Sequence, residues 1–403
     1  MDLSLDYTQK TLKNTEILIS GSKSESNRLL ILQQFFPEIQ LHNLSDSDDT
    51  IHLKEALSAG KSMVDIGHAG TAMRFLTAFF AASPGREVIL TGSSRMQNRP
   101  VQILVEALQN LGADITYTEK TGYPPLLIKG KKLNIDKVTV QGNVSSQYIS
   151  ALMLIAPALE HGLNIELTGE ITSAPYLKMT LSLLQDLDMD ATWKNNLITI
   201  KPCNSIGAKT VVVESDWSSA SYFYSLLALS KQGEISLASF KPNSLQGDSR
   251  LAEIYRSFNI HTVFKDNKIL LKKVGFSPEA IRLNLMEQPD IAQTIAVTCF
   301  GLGLPCDLTG LHTLKIKETD RLLALKNELS KLGAEIEVTA NSLHLKRSTE
   351  INPNISVATY EDHRMAMAFA PLSVRVPIQI QDAGVVSKSY KNFWQDFDSV
   401  FTD

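Results

Sequence analysis

The sequence predicts an α/β protein of two lobes, in which each lobe contains three repeated βαβαββ units around buried helices. Six short polar clusters each open an apolar, helix-length run, and from the second cluster onward they recur every 70–75 residues or so. Six further helix-like runs alternate with these, and hairpin-like strand pairs follow several of them. The six polar openings lie at residues 22–25, 68–71, 143–146, 216–219, 288–290 and 360–363.

The first helix of each unit is almost wholly apolar after its polar opening, as in 149–156 and 365–370. A helix that is apolar on all sides is buried. The second helices carry charges on one side and are expected nearer the surface. They are predicted to begin near Asp48, Arg99, Tyr176, Asp248, Asp320 and Tyr390.

Two tails of the second helices are closely similar, 108–115 (LQNLGADI) and 329–336 (LSKLGAEI). Each places a glycine just after the helix, where a left-handed residue is favoured. Alternating strands follow at 197–201, 269–272 and 343–346, preceded by polar turns. One unit therefore has the order strand, helix, strand, helix, strand, strand.

A chain of 403 residues is too long for one core and suits two domains. We expect residues 21–214 to form the first lobe. Residues 1–20 and 215–403 should form the second. The two crossings, at about 20–21 and 214–216, lack a flexible linker and are expected to act as a hinge.

The composition is that of an ordinary soluble globular protein, with 43% hydrophobic and 20% charged residues and a net charge of −4. This balance favours neither nucleic acid nor membrane as a partner. The three cysteines form no CxxC pair and no metal-ligand spacing. No metal is therefore expected. No targeting segment or membrane-length apolar run is evident, so a cytoplasmic protein is expected.

Cations stand at helix openings, where the helix dipole disfavours them. In the cluster 21–28, Lys23 and Arg28 accompany Ser24 at the start of a helix. An anionic ligand would supply the missing charge, whereas the structural alternative is a capped helix with two solvated cations. Small, hydroxyl or cationic residues recur at other openings, namely Gly70, Arg74, Arg99, Ser145, Ser146, Gln147, Ser173 and Tyr176.

The densest cluster contains Lys317, Glu318 and Arg321, and its spacing predicts that Lys317 and Glu318 share a helix face with Arg321. A glutamate among cations stays ionised and can shuttle a proton, although a solvated charged helix start is an alternative. Asp290 also lies at a helix start, where plain N-capping is the alternative. Arg364 and Lys388 are also expected at helix openings. Together, these residues predict a cleft for more than one strongly anionic small molecule, with two carboxylates for acid–base work.

These motifs, in this order, closely resemble those of the 5-enolpyruvylshikimate-3-phosphate synthase (3-phosphoshikimate 1-carboxyvinyltransferase) family. That resemblance implies the two-lobed enolpyruvyl transferase fold and no metal or organic cofactor. It also implies a reaction in which the 5-hydroxyl of shikimate 3-phosphate attacks C2 of phosphoenolpyruvate while C3 is protonated. A tetrahedral intermediate then loses phosphate. The matching stretches are 21–28, 67–74, 99–100, 144–147, 175–176, 317–321 and 362–367.

The resemblance also assigns roles by position. Asp290 resembles the base for the 5-hydroxyl, Glu318 the proton donor to C3, and Lys23 a third catalytic residue. The shikimate-phosphate contacts are expected to be Lys23, Ser24, Arg28, Ser145, Ser146, Gln147, Ser173, Tyr176, Asp290 and Lys317. The phosphoenolpyruvate contacts are expected to be Lys23, Gly70, Arg99, Gln147, Arg321, Arg364 and Lys388.

Several positions depart from the family pattern. Thr313 replaces an Asn that helps to hold the substrate, and His363 is read as a positioning residue, so both stand apart from the assigned contacts. The segment between Gly60 and Asp65 is shorter than usual, which predicts a trimmed first unit. Gly70 keeps the small residue associated with glyphosate sensitivity, so sensitivity is expected. The other departures are His68, Phe75 and Ala174.

Three other functions are alternatives to this assignment. A UDP-N-acetylglucosamine enolpyruvyl transferase would share the fold, but it usually has Asn where Ser24 stands and a reactive Cys in the loop at 95–98. An RNA 3′-phosphate cyclase would use His363 as a nucleophile. A non-enzymatic RNA-binding protein would conflict with the acidic net charge. We expect a monomer that binds small anionic substrates.

Overall fold

The computed structural model describes residues 1–58, 60, 62–171, 174–275 and 280–402. The chain divides into two compact units. One unit is continuous, Gly21–Val213, and the other combines Met1–Ser20 with Glu214–Asp403. No helix in the described ranges is long and apolar enough to cross a membrane.

The α-helices are short to medium in length, and several begin at the polar openings. In chain order the described helices are α1 (Lys23–Phe35), α2 (Asp48–Ser58), α3 (Gly70–Ala81), α4 (Gln102–Asn110), α5 (Ser146–Ile155), α6 (Ala174–Asp186), α7 (Trp217–Leu229), α8 (Leu251–Ile254), α9 (Ala292–Gly301), α10 (Arg321–Lys331), α11 (His363–Phe369) and α12 (Phe393–Ser399).

The strands are also short, from two to six residues. In chain order they are β1 (Leu3–Leu5), β2 (Glu16–Ile17), β3 (Ile39–His42), β4 (Met63–Asp65), β5 (Glu87–Thr91), β6 (Asp114–Tyr117), β7 (Leu126–Lys129), β8 (Lys137–Gln141), β9 (Leu163–Thr168), β10 (Ala191–Lys194), β11 (Leu197–Ile200), β12 (Lys209–Val212), β13 (Glu234–Ala238), β14 (Ile260–Lys265), β15 (Lys268–Lys273), β16 (Ile281–Asn284), β17 (Cys306–Thr309), β18 (Ile336–Val338), β19 (Leu343–Leu345), β20 (Ile355–Val357) and β21 (Ile378–Ile380).

Four sheets repeat one topology. Their orders are β4-β5-β7-β6, β10-β11-β9-β8, β14-β15-β13-β2 and β16-β17-β19-β18. In each, the first two strands in sequence are parallel, and the last two form an antiparallel hairpin beside them. Parallel neighbours need a crossover, and a buried helix supplies it in three of these sheets, whereas Gly21–Val213 and α7 lie between β2 and β13. The predicted α/β fold of repeated βαβαββ units is confirmed.

The first βαβαββ repeat is trimmed, as predicted from its length. Its sheet is the parallel pair β12-β3, and strand β4 of the next repeat begins five residues after α2 ends at Ser58. No room remains there for a hairpin. The last repeat is also reduced, because β1 pairs with β21 in a three-stranded sheet, β1-β21-β20.

The first helices of the repeats form the core of each unit. In Gly21–Val213, helices α1, α3 and α5 pack against one another, and in the other unit α7, α9 and α11 do so. All ten residues of α9 are buried, and so are twelve of thirteen in α7. This burial follows from their apolar sequence on every face. Their polar N-terminal residues remain at the end of each three-helix core.

Candidate active site

Helix α1 begins as the sequence predicts. The Ser22 side chain accepts a hydrogen bond from the Glu25 backbone N–H at 3.4 Å, which caps the helix. Lys23 is the first helical residue, and its Nζ lies 3.8 Å from Asp49 Oδ2. The cation is thus held at the helix N-terminus beside a carboxylate from α2.

Arg28 is buried beneath this helix start, with 2% of its surface exposed. Its Nε donates to Thr180 Oγ1 at 2.7 Å, and its Nη2 donates to Ser150 Oγ at 3.1 Å. Its Nη1 donates to the Ser24 carbonyl at 2.8 Å. Burial lowers the pKa of Arg28 to about 10, which still leaves it charged at neutral pH. Arg28 therefore ties α1 to α5 and α6.

Arg99 does not open a helix, contrary to prediction. It follows the 3₁₀ segment Met96–Asn98, and α4 begins only at Gln102. The guanidinium instead lies against the first turn of α3, because a methyl group added at Gly70 would sit 2.5 Å from Arg99 Nη1. The pairing of Gly70 with Arg99 is a tertiary contact that the helix-start pattern could not indicate.

Arg74 lies deeper in the same region. Its Nη2 donates to the Pro100 carbonyl at 2.7 Å, and its Nη1 donates to the Gly70 carbonyl at 3.2 Å. Burial lowers the pKa of Arg74 to about 10, and the nearby charge of Arg99 acts in the same direction. Arg74 thus fixes the backbone on both sides of the Gly70–Arg99 contact.

The opening of α5 meets the opening of α3. Ser145 caps α5 by accepting from the Gln147 backbone N–H at 3.4 Å, and Ser146 is buried. The Gln147 side chain donates from Nε2 to Thr71 Oγ1 at 3.1 Å. Tyr176 lies in α6, its ring centroid 5.9 Å from the Arg28 guanidinium carbon. Ser173 lies outside the described residues.

Asp290 stands at the centre of an ion-pair network in the other unit. It lies inside the 3₁₀ segment Pro289–Ile291, whose N-cap is Gln288, and the N-cap of α9 is Ile291, so Asp290 is the N-cap of neither helix. Its Oδ1 is 2.9 Å from Arg321 Nη1 and 3.5 Å from Lys317 Nζ. Its Oδ2 is 3.4 Å from Arg364 Nη2. We call Asp290, Lys317, Glu318, Arg321, Asp362 and Arg364 the ion-pair network.

Arg321 binds three carboxylates while it is almost fully buried. Besides Asp290, its Nη2 contacts Glu318 Oε2 at 2.6 Å, and its Nε contacts Asp362 Oδ2 at 2.6 Å. Burial opposes the charge of Arg321, but Asp362, Glu318 and Asp290 outweigh it and raise its pKa above the ordinary value. The guanidinium therefore fixes the relative positions of the three acids.

Lys317 and Glu318 lie just before α10 rather than on its surface, because the helix begins only at Arg321. Asp320 caps it by accepting from the Leu323 backbone N–H at 3.1 Å. The expected shared helix face is therefore wrong for Lys317, whereas the Glu318–Arg321 contact forms. About a third of the Glu318 side chain is exposed (32%), so solvent or a ligand can reach it.

Helix α11 brings two further charged residues to the network. Asp362 caps it by accepting from the Arg364 backbone N–H at 2.8 Å. The Arg364 side chain donates to the Asp290 carbonyl at 3.0 Å and to Ser218 Oγ at 3.3 Å. His363 is buried, and its Nδ1 lies 3.9 Å from Asp362 Oδ1.

Lys388 and Thr313 are the last two residues singled out from the sequence. Lys388 ends the 3₁₀ segment Ala383–Lys388, and α12 begins only at Phe393, so the expected helix opening at Lys388 is wrong. Its Nζ donates to the Glu361 carbonyl at 2.9 Å. Thr313 Oγ1 is buried with no hydrogen-bond partner within the described part of the chain.

Two acids and one serine of this region, Asp362, Asp248 and Ser218, are not among the predicted site residues. Asp362 pairs with Arg321, and Asp248 accepts a hydrogen bond from Ser218 Oγ, which also contacts Arg364. Burial raises the pKa of Asp248 to about 6, and the charge of Asp290 adds to this effect. Both acids stand in stretches that the sequence marks as helix openings, which was the available signal.

The network can hold carboxylates and cations together in a small volume. Asp290 and Glu318 are fixed by one guanidinium, and Lys317 and Arg364 flank Asp290. Such a group can bind anions and move a proton at nearby atoms. Among the described residues, no group of three or more His, Cys, Asp or Glu side chains could hold a metal ion.

Comparison with known proteins identifies the family. The family model for EPSP synthase (3-phosphoshikimate 1-carboxyvinyltransferase) matches residues 50–397. A 3-phosphoshikimate 1-carboxyvinyltransferase of Bacteroides fragilis (strain YCH46) is 46% identical over 384 residues, covering 94% of this chain and 93% of that protein. The enzyme of the same name from Colwellia psychrerythraea (strain 34H / ATCC BAA-681) is 34% identical over 412 residues, covering 94% and 95%.

A solved structure agrees at the level of the fold. EPSP synthase from Acinetobacter baumannii superposes with a TM-score of 0.80 at 18% identity, and each chain is covered completely. With the family model and these relatives in agreement, the chain belongs to the EPSP synthase (3-phosphoshikimate 1-carboxyvinyltransferase) family.

Proposed function

We propose that the ion-pair network and the helix openings of Gly21–Val213 together transfer the enolpyruvyl group of phosphoenolpyruvate to the 5-hydroxyl of shikimate 3-phosphate. The family assignment supports the reaction and disfavours the alternative transferase and cyclase functions. The observation that carries the site proposal is the fixing of Asp290 and Glu318 by the buried guanidinium of Arg321. This arrangement supports two acid–base groups held near each other.

In the proposed mechanism, the oxygen of the 5-hydroxyl bonds to C2 of phosphoenolpyruvate while Asp290 accepts the hydroxyl proton. Glu318, once protonated, donates that proton to C3, which gives the tetrahedral intermediate. Loss of a proton from C3 and departure of phosphate from C2 then form the enolpyruvyl ether. The charge that develops during these steps is stabilised by the surrounding cations.

The cations divide between the two substrates in this proposal. Lys23, Arg99, Arg321, Arg364 and Lys388 bind phosphoenolpyruvate, with Gly70 and Gln147 beside them. Contacts to shikimate 3-phosphate come from Lys23, Ser24, Arg28, Ser145, Ser146, Gln147, Ser173, Tyr176, Asp290 and Lys317. Arg28 is buried and bound to Ser150 and Thr180, which supports a further role in holding Ser24 and Tyr176 in place.

The two units would act as lobes that hinge near residues 20–21 and 214–216 when both substrates bind. We further propose that the chain works as a monomer in the cytoplasm, with these two small anions as its partners.

The test is phosphate release with both substrates, in the parent protein and in Glu318→Gln. The amide keeps the contact with Arg321 but cannot deliver a proton, so kcat should fall by on the order of 100-fold or more. Binding of shikimate 3-phosphate, measured by calorimetry, should stay within a few-fold of the parent value.

Glu335→Gln is the matched control, since Glu335 is an exposed glutamate paired with Lys346 on the surface. It should retain parental turnover. Parental turnover in Glu318→Gln would remove Glu318 from the mechanism, and a parent protein that releases no phosphate would contradict the proposed reaction.

A further inference from the structure

Glu328 is a fully buried glutamate that none of the assigned roles uses. It lies in α10, two helical turns after Arg321, with 0% of its surface exposed. A carboxylate is rarely buried unless charged or polar partners satisfy it. Its partners therefore indicate what the position does.

Two of these partners belong to the segment 358–364, which ends in the first two residues of α11. Oε2 accepts from the Ala358 backbone N–H at 3.0 Å, and Oε1 accepts from the Tyr360 hydroxyl at 2.6 Å. Lys331 Nζ supplies the counter-charge, at 2.8 Å from Oε1 and 2.7 Å from Oε2. The carboxylate thus joins α10 to the 358–364 segment.

The segment needs such support because its backbone is strained. Tyr360 and Glu361 have φ values of +54° and +56°, a conformation that residues other than glycine rarely adopt. The Asp362 N–H donates to the Thr359 carbonyl at 2.9 Å, so these two residues form the centre of a tight turn. Strained turns persist where surrounding contacts hold them, and they cluster at functional sites.

The same turn contacts three residues of the proposed site, namely Lys388, Arg321 and Arg364. The Glu361 carbonyl accepts from Lys388 Nζ at 2.9 Å. Asp362 pairs with Arg321 and accepts from the Arg364 backbone N–H. Helix α10 therefore binds the segment at two places. Arg321 contacts Asp362, and Glu328 accepts hydrogen bonds from Ala358 and Tyr360.

We propose that Glu328 is a positioning residue for phosphoenolpyruvate: its carboxylate holds the turn at Tyr360 and Glu361 and, through it, Lys388 and Arg364. The inference rests on the proposed function, because the roles of the two cations belong to it. Glu328 itself touches no substrate. Its loss should therefore weaken the binding of one substrate more than that of the other.

The experiment uses Glu328→Gln and Tyr360→Phe, with Glu335→Gln as the control. In Glu328→Gln an amide NH₂ replaces one acceptor oxygen and faces the Ala358 N–H or the Tyr360 hydroxyl, which also donate. Tyr360→Phe removes one hydroxyl only. Glu335→Gln makes the same chemical change at an exposed position of the same unit.

Two measurements separate positioning from general stability. Hydrogen–deuterium exchange in the substrate-free protein should become faster at 358–364 in Glu328→Gln, whereas α7 should keep its protection. The KM for phosphoenolpyruvate should rise about tenfold, and the KM for shikimate 3-phosphate should change less than about twofold. Tyr360→Phe should shift both readouts in the same direction by a smaller factor, and the control should match the parent.

Unchanged exchange at 358–364, or an equal rise in both KM values, would overturn the proposal. Should Glu328→Gln fail to fold, the same two readouts on Tyr360→Phe decide the matter. A parent protein without phosphate release would refute the proposed function and with it the role in phosphoenolpyruvate binding. The exchange data would still show separately whether Glu328 holds the turn.

Discussion

At Gly70 the absence of a side chain lets the guanidinium of Arg99 lie against the first turn of α3. A methyl group there would sit 2.5 Å from Arg99 Nη1 and 3.0 Å from its Cζ. The atoms that it meets are the far end of a flexible side chain, so the chain can relax by moving Arg99. The fold should therefore tolerate an alanine, whereas the position of the cation should not.

Gly70→Ala should raise the KM for phosphoenolpyruvate about tenfold, since Arg99 is displaced from the proposed binding position. Glyphosate should inhibit the parent protein, and the variant should need a higher concentration for half-inhibition. Steady-state kinetics with a thermal unfolding scan measure both effects. The unfolding midpoint should stay near the parent value.

Gly207→Ala is the control, because no heavy atom lies within 4 Å of a methyl group at that glycine. It should leave kinetics and inhibition unchanged. Normal turnover of the parent protein at high glyphosate would contradict the expected sensitivity. Parental kinetics in Gly70→Ala would remove Arg99 from the binding site.

At the scale of elements, α10 organises most of the ion-pair network. Its first residue, Arg321, binds Asp290, Glu318 and Asp362, and Asp362 in turn caps α11. Breaking one partner of a buried charge pair leaves the other charge without full compensation. Removal of Asp362 alone should therefore destabilise this unit, because the buried guanidinium of Arg321 would lose one of its three carboxylate partners.

Asp362→Asn should lower the free energy of unfolding by about 3 kcal/mol, the cost of breaking a buried ion pair. Urea titration followed by circular dichroism measures the change. Asp190→Asn is the matched control, because Asp190 pairs with Lys201 at 2.7 Å while both side chains are more than half exposed. That variant should lose less than about 1 kcal/mol. Equal losses in the two variants would count against the importance of the Arg321–Asp362 pair.

The elements also show how far the sequence alone could lead. The starts of α1, α5, α7 and α11 follow from local signals, because a serine or aspartate cap precedes an apolar run. The βαβαββ order and the trimmed first repeat follow from spacing. Helix α4 and the 3₁₀ segment ending at Lys388 were misplaced, because a cation after a loop looks locally like a cation at a helix start.

The contacts that build the site could not be predicted, because they join residues far apart in sequence. Arg28 and Thr180 are 152 positions apart, and Arg321 and Asp362 are 41 apart. The sequence marked Arg28 and Arg321 as unusual cations at helix starts, but only tertiary structure supplies their partners. Asp248 was missed for the same reason, since only burial and the nearby charge of Asp290 distinguish it.

At the scale of the whole molecule, stability should depend on pH through Asp248. Burial raises its pKa from 3.8 to about 6, so between these values the folded protein binds more protons than the unfolded chain. Stability from this group is therefore present at low pH and is lost as the pH rises through about 6. Above that pH, burial of the ionised carboxylate lowers the free energy of unfolding by at most about 3 kcal/mol.

Asp248→Asn should accordingly raise the thermal unfolding midpoint relative to the parent at pH 8. The advantage should shrink as the pH falls towards 4, where the parent carboxyl group is protonated as well. Scanning calorimetry across this range measures the difference, with Asp190→Asn as the baseline for an exposed aspartate. A difference that is independent of pH would contradict the effect assigned to burial.

Both units follow one internal plan, with three buried helices whose polar ends carry the candidate residues. In the proposed reaction, the cations and hydroxyls of Gly21–Val213 act together with the acids of the other unit. Because the proposed reaction draws on residues of both units, a substitution in either unit should slow the same chemical step.

The most direct test is phosphate release measured with both substrates in the parent protein, in Lys23→Met and in Asp290→Asn. These two residues belong to different units. Release in the parent should require both shikimate 3-phosphate and phosphoenolpyruvate, and each variant should lower kcat/KM by on the order of 100-fold. Release without shikimate 3-phosphate, or parental activity in either variant, would contradict the account.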